Sequence, residues 1–176
     1  LFKKKAFQKL FYIGANFRKE RPQKGRLRQF HQFGVEALGA TDPLLDAETV
    51  LLALRFFEEL GVPGVKTKVN SIGCPNCRPK YRDALKAKFA PIIGQFCENC
   101  RRRFDRNVFR ILDCKVEKDV ALTADAPRVQ DSLCADCLAH DKAFVGALTR
   151  AGAPFAQDPR LVRGFDYYTR TVYEFT

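Results

Sequence analysis

Arg18, Glu20, Arg21 and Arg26 crowd one short stretch of the chain, and Arg28, Phe30, Gln32, Gly34 and Glu36 follow at strict two-residue spacing. A guanidinium is permanently charged and grips phosphate through two parallel hydrogen bonds. An aromatic ring such as Phe30 can stack on a flat base. An amide and a carboxylate, Gln32 and Glu36, can hold a small amino acid through its ammonium or ring. Together these residues suit a nucleotide placed beside a cationic amine. Much later, Arg163 precedes Gly164 in Leu161-Val-Arg-Gly-Phe-Asp-Tyr-Tyr. Glycine permits a close backbone approach, and an arginine there can stabilise charge developing on a transferring phosphate. The plainer alternatives are a solvated basic loop, a half-exposed strand surface and a surface arginine.

Two strands must position the first group. Read by period two, Tyr12, Gly14, Asn16 and Arg18 share one face, and Phe11, Ile13, Ala15 and Phe17 share the other. Arg28, Phe30, Gln32, Gly34 and Glu36 share the polar face of the second run, with Leu27, Gln29, His31, Phe33, Val35 and Ala37 opposite. His31 therefore points away from the polar face. The strands span about residues 10–18 and run up to about 38, joined by a loop over 19–26 that contains Pro22 and Gly25. Lys3, Lys4 and Lys5 lead in. A turn at 39–43 precedes a helix that ends near Leu60 at Gly61, with Asp42, Asp46 and Glu48 near its start. Leu51, Leu52, Leu54, Phe56 and Phe57 are its expected buried side. Residues 65–72 alternate as a strand.

From Cys74 to about Gly152 the chain reads as mainly helical. One helix covers 78–89, and another, capped by Asp131 or Ser132, runs to Ala151 and stops at Gly152. Residues 167–175 are aromatic, β-branched and alternating, which predicts a strand. The expected organisation is a core over 1–72, a helical insert over 73–157 and a return to the core over 158–176. The fold class is α+β.

The 176 residues carry a net charge of +11. Residues 1–72 hold 13 Lys/Arg against 7 Asp/Glu, residues 73–157 hold 15 against 10, and 158–176 hold three of each. The excess spans two regions, which fits a polyanionic partner such as nucleic acid. No run is long and apolar enough for a membrane span, and no signal peptide is visible. The absence of methionine suggests a piece of a longer chain. Seven cysteines include three Cys-x-x-Cys pairs, Cys74/Cys77, Cys97/Cys100 and Cys134/Cys137, plus Cys114. Reduced thiols or a metal in a cytoplasmic setting fit better than disulfides. Nineteen residues separate Cys77 from Cys97, a spacing typical of a zinc site built from Cys74, Cys77, Cys97 and Cys100. Cys134/Cys137 could replace either pair, and Cys114 would stay free. Buried or free thiols are the other reading.

The stretch Arg18-Lys-Glu-Arg-Pro-Gln-Lys-Gly-Arg-Leu-Arg-Gln-Phe-His-Gln32 resembles motif 2 of class II aminoacyl-tRNA synthetases, in the wording of the histidyl enzymes. Leu161-Val-Arg-Gly-Phe-Asp-Tyr-Tyr-Thr-Arg-Thr-Val-Tyr-Glu-Phe175 resembles the histidine-specific motif of the same family. The likeness covers nearly the whole chain, insert included. It implies an incomplete antiparallel class II sheet, activation of L-histidine by ATP with Mg2+, and transfer to tRNA(His). It implies that Arg18, Glu20, Arg26 and Phe30 bind ATP. Arg18, Gln32, Glu36, Arg163, Tyr167 and Tyr168 would hold histidine, with Arg18 and Arg163 the catalytic cations. It also points to Arg101, Arg102, Arg103 and Arg106 as tRNA contacts, against the plainer reading of a solvated helix end. The family is dimeric. Motif 1, motif 3 and the anticodon-binding domain lie outside these residues, so the fragment alone is expected to be inactive. Two competing readings are a non-catalytic histidine-sensing paralogue and a zinc-bearing nucleic-acid module. The first leaves the basic insert and both arginine motifs unused; the second leaves the alignment of Gln32 with Glu36 unexplained.

Overall fold

The computed structural model describes residues 7–163 and 167–176. Lys3, Lys4, Lys5 and Gly164 lie outside the described residues. Strands β1 (Gln8–Phe17) and β2 (Gln29–Leu38) form an antiparallel hairpin. Its register sets Tyr12 opposite Gly34, Gly14 opposite Gln32 and Asn16 opposite Phe30, so the polar residues of both strands do share one face. The pairing continues one step further, with Arg18 N donating to Arg28 O at 2.8 Å. The loop tip closes where Gln23 and Arg26 exchange backbone bonds across Gly25, whose φ is +75°.

Helix α1 (Pro43–Glu59) follows. Asp42 caps it by accepting from Leu44 N at 2.8 Å, Pro43 fills its first turn, and Gly61 at φ +66° ends it. Its fully buried residues are Ala47 and Val50, with Leu51 and Leu54 partly buried. Leu52 and Phe56 are more exposed than the sequence pattern suggests, because the side of α1 that packs against β3 and the later helix around Phe144 is carried by Ala47, Val50, Leu51 and Leu54. Phe56 meets Phe33 of the hairpin at 4.4 Å, and Phe57 meets Phe175 at 5.5 Å.

Strand β3 (Thr67–Ser71) leads into the insert, which contains α2 (Arg78–Phe89), α3 (Glu98–Arg106), α4 (Glu117–Leu122) and α5 (Ala135–Arg150), with short 3-10 turns between them. The chain then returns through β4 (Ala156–Gln157) and β5 (Thr171–Phe175). The second sheet has the order β4-β3-β5, antiparallel between β3 and β5 and parallel between β3 and the two-residue β4.

Two hydrophobic clusters organise the interior. One lies in the insert around Tyr81, Leu85, Phe89, Cys100, Val108 and Ile111, with Val162 of the return segment packed against it. The other joins Ala47 and Val50 of α1, Val69 of β3 and Phe144 and Leu148 of α5. Helix α5 thus packs with the core although it falls inside residues 73–157.

Two further sequence expectations change. The last strand begins at Thr171, not Tyr167, because Arg170 adopts φ +60° and turns the chain there. Its N–H donates to Gly73 O at 2.8 Å and its carbonyl accepts from Ile72 N at 2.7 Å. Helix α5 begins after Cys134 rather than at 131 or 132, since Val129–Ser132 form a separate 3-10 turn. The apolar hairpin face is only partly covered: Phe11, Ile13 and Phe17 are each about three-quarters exposed.

Candidate functional site

On the polar face of the hairpin, the Arg18 guanidinium lies 4.0 Å from the centre of the Phe30 ring, a cation–π contact. Glu20 forms an ion pair with Arg26 at 2.9 Å across the loop mouth. Gln32 donates to the Tyr12 hydroxyl at 2.6 Å. A Cβ at Gly34 would collide with the Tyr12 ring, so glycine there is what lets Tyr12 lie flat across the strand. Tyr12 therefore joins the face, as its period-two position implied. Gln32 and Glu36 are four residues apart, about 13 Å along a strand. They bracket the Tyr12–Gly34 surface and cannot both touch one atom of a ligand.

Arg163 sits beside the second sheet. Its guanidinium donates to Tyr173 O at 2.6 Å. It lines one cleft with Asn70, Ser71, Arg78 and Tyr81, and another with Lys68, Asp158 and Arg160. Tyr167 and Tyr168 pack ring to ring at 4.8 Å, and Arg78 donates to Tyr168 O. The approach to Arg163 is held by β3 and the insert. Asn70 donates to Leu161 O at 3.0 Å, and the Arg160 guanidinium donates to Leu112 O and Val120 O at 3.1 and 2.9 Å. The hairpin residues thus stand on one sheet and Arg163 beside the other, with α1 packing against both.

Of the basic residues on α3, Arg103 donates to Arg110 O at 3.0 Å and so has a local structural task. Arg101, Arg102 and Arg106 are exposed.

The cysteines assemble differently from the expected Cys74/Cys77/Cys97/Cys100 set. Cys74, Cys77, Cys134 and Cys137 form one group, and Cys97, Cys100, Cys114 and Asp119 form another. The reason is topological. The turn after β3 meets the start of α5, whereas Cys97 and Cys100 begin α3 inside the distal cluster of the insert. Cys114 is not a bystander: its sulfur lies 4.0 Å from that of Cys97. Asp119, which sequence reasoning missed, is fully buried and accepts from Cys97 N at 3.1 Å and the Cys114 thiol at 3.2 Å. No spacing rule singles out a lone aspartate five residues after a cysteine. Burial pushes the Cys137 thiol up to about 12 and raises Cys100 and Cys114 as well. Cys74 moves the other way, to about 7: burial opposes the thiolate, but hydrogen bonds from Cys77 and the Asn76 backbone outweigh it.

A family model described as histidyl-tRNA synthetase matches residues 1–175. The chain belongs to the histidyl-tRNA synthetase family. It is 49% identical over 167 residues to the histidine–tRNA ligase of Oleidesulfovibrio alaskensis and 49% identical over 166 residues to that of Geobacter metallireducens. Each match covers 94% of this chain and 40% of the relative, so the chain spans about two-fifths of the length of these proteins. The apo S. aureus histidyl-tRNA synthetase superimposes with a TM-score of 0.69 at 36% identity, over 95% of this chain and 38% of that one. A Bacillus halodurans protein described as an ATP phosphoribosyltransferase regulatory subunit/histidyl-tRNA synthetase shares the fold, with a TM-score of 0.63 at 19% identity over 99% of this chain and 49% of that one. The α+β fold expected from the sequence is the fold of these synthetases. No helix among the described residues is long and apolar enough to cross a membrane.

Proposed function

We propose that this chain supplies part of the catalytic centre of a cytoplasmic histidine–tRNA ligase. The hairpin register carries the reading: Arg18, Phe30, Gln32 and Glu36 share one face with Tyr12 and Gly34, which a structural hairpin has no need to arrange. ATP enters as its magnesium complex. Glu20 and Arg26 hold the nucleotide. Arg18 leaves the Phe30 ring for the phosphate and the carboxylate of histidine, and adenine takes its place on the ring. Gln32, Glu36, Tyr167 and Tyr168 receive histidine.

The histidine carboxylate attacks the α-phosphorus, and pyrophosphate leaves. A terminal ribose hydroxyl of tRNA(His) then attacks the acyl carbon of the adenylate, and AMP leaves. Neither step needs a protein nucleophile. Positioning and the cations Arg18 and Arg163 supply the rate. Arg101, Arg102, Arg103 and Arg106 face tRNA phosphates, and the whole protein works as a homodimer.

The test is ATP–pyrophosphate exchange by the full-length protein containing these residues, run with each amino acid in turn. Histidine alone should support exchange. Exchange with another amino acid, or none with histidine, overturns the reading. A histidine-sensing paralogue would bind histidine without exchange.

A further inference from the structure

We propose that the insert holds two structural zinc ions at separate sites, one ligated by Cys74, Cys77, Cys134 and Cys137 and the other by Cys97, Cys100, Cys114 and Asp119. In each group the four ligand atoms lie within 4.8 Å of one another. A tetrahedral site with zinc–sulfur bonds of about 2.3 Å requires sulfurs about 3.8 Å apart. Cys74 and Cys77 are 3.5 Å apart, Cys74 and Cys134 4.0 Å, and Cys97 and Cys114 4.0 Å. A disulfide would need about 2 Å, and all seven cysteines are free. The span of each group leaves room for one ion rather than a multi-iron cluster.

The backbone around the sulfurs is built for thiolates. Cys134 N donates to the Cys77 sulfur at 3.1 Å, and Cys100 N donates to the Cys97 sulfur at 3.4 Å. Gly73 has φ +65°, and a Cβ there would stand 2.8 Å from the Cys77 Cβ, so the chain passes its first ligand turn where only glycine fits. At the second site the observation is electrostatic. Asp119 is fully buried, and its side-chain partners among the described residues are all cysteines. A buried carboxylate without a cation is costly, and direct coordination of its oxygen to a divalent ion, beside the three sulfurs, offsets that cost.

The two sites hold different things together. The first joins the turn after β3 to the start of α5, where the insert leaves and rejoins the core. The second joins α3, the turn before Cys114 and α4 within the distal cluster. Each ion closes a long loop and so restricts the unfolded chain. Metal binding displaces the thiol protons, which leave to solvent.

The full-length protein, purified with reductant and passed through metal-free buffer, should carry two zinc ions per chain by elemental analysis. The double variants Cys74→Ser/Cys134→Ser and Cys97→Ser/Cys114→Ser should each retain one. Cobalt substitution of the unmutated protein should give sulfur-to-cobalt charge-transfer absorption for seven thiolates in all. Thiol titration without variants provides a second reading: Ellman's reagent should find the cysteines protected until a chelator is added, then reactive. Fewer than two ions in the unmutated protein, iron in place of zinc, or thiols equally reactive with and without chelator would overturn the proposal.

Discussion

At the scale of single residues, the Arg18–Phe30 contact is the most telling. The Arg18 guanidinium rests on the aromatic face that a base would use. The proposed site therefore needs an exchange: the guanidinium moves to phosphate and the ring turns to adenine. The chain contains no tryptophan, so Phe30→Trp installs a reporter whose signal is unobscured within these residues. ATP should change its fluorescence in a saturable way, and Arg18→Ala should weaken ATP binding by roughly tenfold or more, as expected for loss of a charge-assisted contact. Fluorescence indifferent to ATP would place the base elsewhere. Glu20 pairs with Arg26 across the loop mouth and offsets one of the loop's cations.

At the scale of elements, the return segment depends on what the insert holds. Asp158 stands at its start, paired with Lys68 of β3 at 2.9 Å and accepting from Arg160 N at 2.9 Å. Burial alone would raise its pKa, but the Lys68 contact and the Arg160 bonds outweigh that and hold the carboxyl below the usual range. A depressed folded pKa means that its stabilisation is present above the unfolded value of about 3.9 and lost as pH falls through the folded one. Asp158→Asn should therefore lower the urea midpoint at neutral pH and show a smaller further loss on acidification. Wild type and variant should converge once the pH has fallen below the depressed folded pKa. Equal midpoints at neutral pH would show that the pair contributes nothing.

The elements were largely legible because their signals are local. Alternation placed both hairpin strands and their polar face, and Asp42, Pro43 and Gly61 bounded α1. The strand proposed from Tyr167 was shortened by Arg170, whose left-handed backbone is imposed by bonds to Ile72 and Gly73, nearly a hundred residues away in sequence. The first-named cysteine set, Cys74/Cys77/Cys97/Cys100, gave way for the same reason to the alternative in which Cys134/Cys137 replace Cys97/Cys100. Pair spacing describes neighbours along the chain, but the return of α5 to the turn after β3 is a tertiary event. Cys134 caps α5 with extended backbone, which no capping preference would have selected. Asp119 was invisible because its meaning lies entirely in what surrounds it.

At the scale of the whole molecule, the hairpin leaves a broad apolar face. Phe11, Ile13 and Phe17 remain about three-quarters exposed, and Leu27 is exposed too. Contiguous apolar surface of this kind marks an interaction site or a liability to association. The 176-residue chain on its own should therefore self-associate as concentration rises, and Phe11→Lys/Phe17→Lys should reduce that association without unfolding the hairpin. Light scattering or sedimentation would read it; a chain that stays monomeric at every soluble concentration would refute the expectation. The same exposure agrees with a chain that spans two-fifths of its relatives' length, since an activity needing both sheets and the surfaces around them is a property of the larger protein.

The reading as a synthetase rests on two arginine-bearing elements serving one reaction, although they stand on separate sheets. Steady-state ATP–pyrophosphate exchange by the full-length protein, compared with its Arg163→Ala variant, tests that most directly. The account predicts histidine-dependent exchange in the wild type and a kcat lower by about a hundredfold or more in the variant, with histidine binding changed far less. Exchange by the variant at the wild-type rate would contradict it.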